Sequence, residues 1–207
     1  MTMDACCEVR PVEARQRRVL RVVLWINVAM FALELGAGLI AHSTALMADS
    51  VDMLGDAIVY GFSLYVIGRG TQWQARGALL KGAIMAAFAA GIALEVALKL
   101  ARGVTPNAEL MTATALIALA ANGSVLAFLW RHRADDLNMR SAWLCSRNDV
   151  ISNAAVVCAA VAVALTDSAW PDIVTGAAIA ALFATSSLTI IREALKSTGA
   201  AESLTRG

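Results

Sequence analysis

The chain has 207 residues, of which 59% are hydrophobic and 16% are charged, and its mean hydropathy is +0.66. This composition is too apolar for an ordinary soluble domain and indicates a protein that crosses the membrane several times. The formal net charge of +1 gives no electrostatic reason to expect a nucleic-acid partner.

The first twenty residues are polar and basic, and a long apolar run follows them. A cleaved signal peptide would have a shorter apolar run, so we expect a retained first helix after a tail over residues 1–19. Two adjacent cysteines, Cys6 and Cys7, lie in this tail. They could bind a soft metal as thiolates, although two unligated thiols are the simpler interpretation.

Six apolar segments follow, each long enough to cross a hydrocarbon core of about 30 Å. They lie near residues 20–41, 45–68, 77–101, 109–131, 141–165 and 172–194. The predicted fold is therefore all-α, a polytopic bundle of six transmembrane helices over residues 20–196, followed by a short tail over residues 197–207. Polar residues that interrupt the spans usually face the inside of such a bundle. Those singled out here are Asn27, Glu34, Glu95 and Asn122.

Basic residues are distributed unevenly among the connectors between the spans. Fourteen of the 17 Lys and Arg residues lie at the two termini or around the second and fourth connectors, whereas Lys99 and Arg102 lie on the opposite side. The positive-inside rule then places both termini in the cytoplasm, which agrees with an even number of spans. His42 and His132 lie in connectors, where a surface residue is a simpler interpretation than a metal ligand.

The second span contains the segment STALMADSVDMLGD at residues 43–56, which carries the carboxylates of Asp49, Asp52 and Asp56. At 100° per residue, Asp52 and Asp56 are about 40° apart and Asp49 is within about 60° of Asp52, so all three share one helix face. One ionised aspartate at mid-bilayer costs at least about 2.5 kcal/mol, so three on one face need a partner. A shared metal cation is the simplest partner, and a polar cavity lined by protonated acids is the alternative.

The fifth span carries a second polar group, in the segment SAWLCSRNDVISN at residues 141–153. Cys145 and Asp149 are four residues apart on one face, and Asn148 and Asn153 lie near that face, whereas Arg147 points away from it. Two helices that each offer ligands at i and i+4 can form a four-coordinate site. Thiolate and carboxylate ligands suit zinc and softer ions better than magnesium. Cys145 could equally be a small buried hydrophobic residue.

These two segments resemble those of the cation diffusion facilitators, also called cation efflux proteins. The second span of that family typically has the pattern S-L-A-L-L-A-D-A-x-H-x-x-x-D, and residues 43–56 match its order and spacing. The fifth span of the family carries H-x-x-x-D, where this chain has Cys-Ser-Arg-Asn-Asp at residues 145–149. The resemblance covers about residues 20–196. It implies that the metal ligands are Asp52, Asp56, Cys145 and Asp149, and that Asp49, Asn148 and Asn153 orient ligands or relay protons.

The resemblance also implies what the protein does. It would be a secondary transporter rather than an enzyme, exporting a divalent transition metal from the cytoplasm in exchange for protons. Zinc is the expected cation, with cadmium, cobalt, nickel, iron and manganese as alternatives, and no organic cofactor is expected. A homodimer in a bacterial inner (plasma) membrane, with a role in metal resistance, is implied as well.

The sequence departs from the family pattern in two places. Cys145 stands where the family usually has His or Asp, which leaves the preferred metal open. The sequence also ends shortly after the sixth span, so we expect no cytoplasmic metal-binding domain at its C-terminus.

Two other classes of function are open at this point. One is a membrane enzyme that binds metal through paired aspartates, because Asp52-x3-Asp56 resembles the end of the CDP-alcohol phosphotransferase motif. The upstream D-G-x-x-A-R that this motif needs does not precede Asp52. The other is a metal-sensing membrane subunit that transports nothing. Metal flux in proteoliposomes would separate a transporter from both.

Overall fold

A computed structural model of the chain describes residues 16–65, 71–130 and 137–205. This part of the chain forms six helices, which confirms the predicted all-α bundle. The helices are α1 (Gln16–Ala41), α2 (Thr44–Tyr65), α3 (Thr71–Arg102), α4 (Ala108–Trp130), α5 (Leu137–Thr166) and α6 (Trp170–Thr205). The expectations for Cys6, Cys7 and His132 lie outside the described residues.

Five of the described helices are long and apolar enough to cross a membrane, and α2 is the exception. Every window of 18 residues in α2 contains all three aspartates of the second span, which lowers its hydropathy. Yet α2 is the most enclosed part of the bundle, since Leu46, Val51 and Met53 have no exposed surface. The acids therefore lie on a central helix that other helices surround.

The core follows from this central position of α2. One cluster packs Leu46 and Val51 of α2 against apolar residues of α3, α4, α5 and α6, including Phe183 and Val156. A second cluster joins α1, α2 and α4 around Val23, Val59 and Leu129. Many large apolar side chains are exposed, such as Ile40 and Leu165, which suits a surface that faces lipid.

Small residues allow the helices to approach closely, as is typical where no hydrophobic effect drives association. A Cβ atom on Gly176 of α6 would lie 2.7 Å from the backbone carbonyl carbon of Thr44. A Cβ on Gly38 of α1 would lie 2.9 Å from the side chain of Met47. The beginning of α2 is therefore packed closely against α1 on one side and against α6 on another.

A buried ion pair lies at the same end of the bundle. Asp172 of α6 and Lys99 of α3 are 0% and 3% exposed, and Lys99 Nζ lies 2.7 Å from Asp172 Oδ2. The carboxylate of Asp172 also accepts hydrogen bonds from the hydroxyls of Ser43 and Thr44, at 2.6 Å each. The backbone N–H groups of Thr44 and Ala45 donate to it at 2.8 and 3.1 Å. We call this set of five residues the clamp.

The clamp satisfies the first turn of α2, where backbone N–H groups have no partner within the helix. Ser43 adds an N-cap, because its Oγ accepts a hydrogen bond from Leu46 N at 3.1 Å. Lys99 also donates to the backbone carbonyl of His42, and Asn107 N donates to Ala41 O at 2.9 Å. The end of α3, the α3–α4 connector and the beginning of α6 are thus joined directly to the α1–α2 turn.

Candidate metal site

The three carboxylates of α2 lie on the side of that helix that meets α5. Asp49 has no exposed surface, Asp56 is buried and Asp52 is half-buried. Asp149 of α5 is buried opposite them. Because successive turns of α2 place an acid at positions 49, 52 and 56, the acids form a row along the α2–α5 interface.

Asp52 and Asp149 meet directly across this interface. Their carboxyl groups are close enough to share a hydrogen bond, and Asp56 is close enough to Asp149 to interact with it electrostatically. Two carboxyl groups can share a hydrogen bond only when one of them carries a proton. The structure therefore places Asp52 and Asp149, two of the four ligands that the resemblance implies, next to each other from two helices, with Asp56 nearby.

Asp49 has different partners, which also lie on α5. The hydroxyl of Ser152 donates to Asp49 Oδ1, and Asn153 Nδ2 donates to Asp49 Oδ2 at 2.8 Å. Asn122 of α4 donates to Asn153 Oδ1 at 3.4 Å, which extends the network to a third helix. Asp49 thus holds α5 in register with α2 one turn away from Asp52.

Tyr60 is a neighbour of the site that the sequence analysis missed. Its hydroxyl donates to Asp56 Oδ2 at 3.1 Å, and the ring is buried in the cluster formed by α1, α2 and α4. The sequence does contain a signal for this contact, because positions 56 and 60 are four residues apart and so adjacent on one helix face. Tyr60 thus orients the Asp56 carboxylate through one of its two oxygens.

Cys145 lies on the buried side of α5 with 2% of its surface exposed, one turn from Asp149. In the described form Cys145 is disulfide-bonded. A disulfide sulfur is not a thiolate, so a ligand role for Cys145 requires the reduced protein. That role stays a prediction.

The two other α5 residues named from the sequence lie apart from the row of acids. Arg147 is exposed, as its position on the opposite face predicts, and its guanidinium lies 5.7 Å from the centre of the Trp143 ring. Asn148 is half-buried and its side-chain oxygen lies 3.5 Å from Arg147 Nη2. This contact turns the Asn148 amide toward Arg147.

Among the residues that the structure describes, no three His, Cys, Asp or Glu side chains are close enough to form a ready-made metal cluster. The acids are instead joined in pairs and to nearby donors, as the contacts above describe. A four-ligand site would need Asp56 and Cys145 to move toward the Asp52–Asp149 pair. The geometry supplies the ligand types and the adjoining helices, and the closed coordination shell stays a prediction.

The remaining polar residues of the spans are mostly enclosed. Asn27, Glu34 and Asn122 are each at most 1% exposed, whereas Glu95 of α3 is half-buried. Asn27 Nδ2 donates to Val23 O at 2.9 Å in its own helix. Glu34 is close enough to Asp49 and Asp52 to interact electrostatically with both.

The clamp is the largest feature that the sequence analysis did not predict. In the sequence analysis, Lys99 is used only as one of two cations on the side opposite the termini, and Asp172 only as the first residue of the predicted sixth span. Their pairing joins positions 73 residues apart, and Asp172 reaches Ser43 across 129 residues. No local pattern in the sequence reports contacts over such distances, although a lysine inside an apolar helix end was a hint.

Comparison with known proteins gives one family. No curated protein matches the chain. The family model of the cation efflux transmembrane domain matches residues 20–197, which agrees with the predicted limits of 20–196 and includes most of every described helix. Proteins of this family are membrane transporters of divalent metal cations rather than enzymes. The chain therefore belongs to the cation efflux family.

Proposed function

We propose that this protein exports divalent transition-metal cations, zinc in particular, from the cytoplasm in exchange for protons. The observation that carries the proposal is the close approach of the carboxyl groups of Asp52 and Asp149, on two different helices. Asp56 lies beside this pair, and Cys145 is one turn away on α5. We propose these four residues as the ligands of the transported cation.

A proton shared by this pair would give the site a means of exchange. A carboxyl that binds a metal must give up its proton, so metal binding at Asp52 and Asp149 would release the proton that joins them. Departure of the metal would let a proton return. One site that holds either the metal or protons, and that opens to each side of the membrane in turn, exchanges one for the other.

The proposed ligand chemistry favours zinc over the harder ions. Zinc accepts carboxylate oxygens and a thiolate in a four-coordinate site, whereas magnesium and calcium take oxygen ligands in larger numbers. A reducing cytoplasm keeps thiols free, which is the form of Cys145 that a ligand role needs. Asp49 would then position α5 through Ser152 and Asn153 rather than bind the metal itself.

The proposed transport unit is residues 20–196, working as a homodimer in a bacterial inner membrane. The direct test is flux with the purified protein in proteoliposomes, using zinc, cadmium, cobalt, nickel and manganese under a pH gradient. A dye sealed inside the vesicles would report proton movement in the same experiment. Metal movement coupled to protons supports the proposal. Metal binding with no flux would instead indicate a sensing subunit.

Substitution of Cys145 is expected to change the order of metal affinities when the protein is kept reduced. Cys145→Ser should weaken cadmium binding most, by about tenfold or more, and manganese binding least, because cadmium is the softest of these ions. Cys145→His should keep zinc transport and reduce the preference for cadmium over zinc. Equilibrium dialysis with each ion measures these changes.

The matched control is Cys158→Ser on the same helix, because Cys158 is a free and exposed cysteine. It should leave every affinity unchanged. If Cys145→Ser also preserves the order among zinc, cadmium and manganese, then Cys145 is a packing residue. The fourth ligand would in that case be Asp49, Asn148 or water.

Both termini are expected to lie in the cytoplasm. A reporter fused after Gly207 and one inserted at Ser168, in the connector between α5 and α6, should therefore report opposite sides of the membrane. Reporters that fold or gain activity in only one compartment measure this directly. Agreement between the two positions would mean that the number of spans is odd, contrary to the six proposed.

A further inference from the structure

Glu34 is a buried carboxyl group that is not among the proposed metal ligands. It lies on α1 with 0% of its surface exposed. Within the described residues, no group donates a hydrogen bond to either of its carboxyl oxygens. Of the described acids that are buried in the helix bundle, Asp49, Asp56, Asp149 and Asp172 all have hydrogen-bond partners, so Glu34 stands apart from them.

Among the residues that the structure describes, the surroundings of Glu34 offer it negative charge and no cation. Asp49 and Asp52 of α2 are close enough to interact with it electrostatically. On α4, which also packs against α1, the buried polar residues are the uncharged Thr114 and Asn122, and Glu109 is exposed in the first turn. An ionised Glu34 would therefore be a buried charge without compensation and beside like charges. A carboxyl in such a place is stable when it carries a proton.

Glu34 is also unsuited to share the metal with its neighbours. No hydrogen bond joins it to a candidate ligand, and no three acids, histidines or cysteines of the described residues are grouped closely enough for a metal. Its link to the site is thus electrostatic. A divalent cation at Asp52 would neutralise the negative charge that Glu34 faces, and departure of the cation would restore it.

We propose that Glu34 is a proton-binding residue of the exchange, distinct from the metal ligands and coupled to them through Asp49 and Asp52. This inference rests on the proposed proton-coupled function. Glu34 would give up its proton when metal occupies the α2–α5 acids and take up one proton when the metal leaves. The net result per cycle is one metal ion carried one way and one Glu34 proton carried the other way, in addition to any proton carried by the ligands.

The test uses Glu34→Gln in proteoliposomes, since glutamine keeps the size and polarity of the side chain but cannot release a proton. Three quantities are measured with zinc: binding affinity, exchange of labelled zinc between equal pools at one pH, and proton movement driven by a zinc gradient. We expect affinity and zinc–zinc exchange within about threefold of wild type, and zinc-driven proton movement reduced at least about tenfold. Glu95→Gln, on half-buried Glu95 of α3, is the matched control and should retain all three.

Each other result overturns the inference. Unchanged proton movement in Glu34→Gln would show that Glu34 carries no coupled proton, while the transport function would stand. Loss of zinc binding together with exchange would place Glu34 within the metal site. A wild-type protein that moves zinc without protons would remove both the exchange mechanism and the role of Glu34. If Glu34→Gln does not fold, Glu34→Asp replaces it, and a pH profile of zinc-driven proton movement identical to wild type would count against the proposal.

Discussion

We expect Asp149→Ala to abolish metal transport while the protein still folds and inserts. The substitution removes one carboxyl of the Asp52–Asp149 pair, and with it a ligand of the proposed site. Losing a residue that only orients a ligand already costs about 10- to 100-fold in metal affinity, so losing a ligand should reduce flux at least about 100-fold. Removing one of several neighbouring acids also reduces their repulsion, so we expect no loss of stability. Zinc flux in proteoliposomes, with size-exclusion chromatography as the check on folding, measures both.

Asp56→Ala is expected to abolish transport as well, and a second variant separates charge from shape at that position. Asp56→Asn keeps an oxygen that can accept the hydrogen bond of Tyr60, but it has no negative charge for a cation. We therefore expect Asp56→Asn to be as stable as wild type and as inactive as Asp56→Ala. The control is Glu109→Ala, which removes an exposed carboxylate from the first turn of α4. Normal transport by Asp149→Ala or by Asp56→Ala would show that the site lies elsewhere.

Asp172→Ala should be among the most destabilising single substitutions in the bundle. It leaves the ammonium of Lys99 buried without its anion and removes the acceptor of four further hydrogen bonds from the beginning of α2. Removing one partner of a buried ion pair costs roughly 3–5 kcal/mol, because the other charge stays uncompensated. The midpoint of unfolding by heat or by SDS in detergent micelles measures the loss. We expect transport to fall as the folded fraction falls.

Two further variants test whether the charge pairing is the cause. Asp167→Asn removes an exposed acid from the nearby connector at a position with φ of 49°, which asparagine tolerates, so we expect a change below about 0.5 kcal/mol. Lys99→Met combined with Asp172→Asn removes both charges and should be less destabilising than the sum of the two single substitutions. Additive effects of the two, or an Asp172→Ala protein as stable as Asp167→Asn, would mean that the pairing contributes little.

The helices themselves followed from the sequence, because apolar length is a local property. The differences lie at the helix ends: α3 begins at Thr71 where we predicted 77, and α6 continues to Thr205 where we predicted 194. The length of an apolar run gives only the part of a helix that lies in hydrocarbon. Backbone hydrogen bonding can extend the helix beyond that part into polar sequence.

The site followed from the sequence only in part. The period of an α-helix places Asp49, Asp52 and Asp56 on one face, and the structure shows that face against α5. The face of α5 that packs against these acids is set by tertiary structure. The pairing of Asp49 with Ser152 and Asn153 therefore could not be predicted from spacing. The clamp was harder still to predict from the sequence, because its residues come from three helices and a connector.

The contact between Gly176 and Thr44 has a consequence for how α2 can move. The backbones of α2 and α6 are in contact there without room for a Cβ atom. The beginning of α2 is therefore the fixed point about which the rest of the helix can tilt. At 1.5 Å per residue, Asp52 lies about 12 Å from that end and Tyr65 about 31 Å from it. A rigid tilt of about 10° then displaces Asp52 by about 2 Å and Tyr65 by about 5 Å. A small adjustment at the acids is thus tied to a movement more than twice as large at the far end of the same helix.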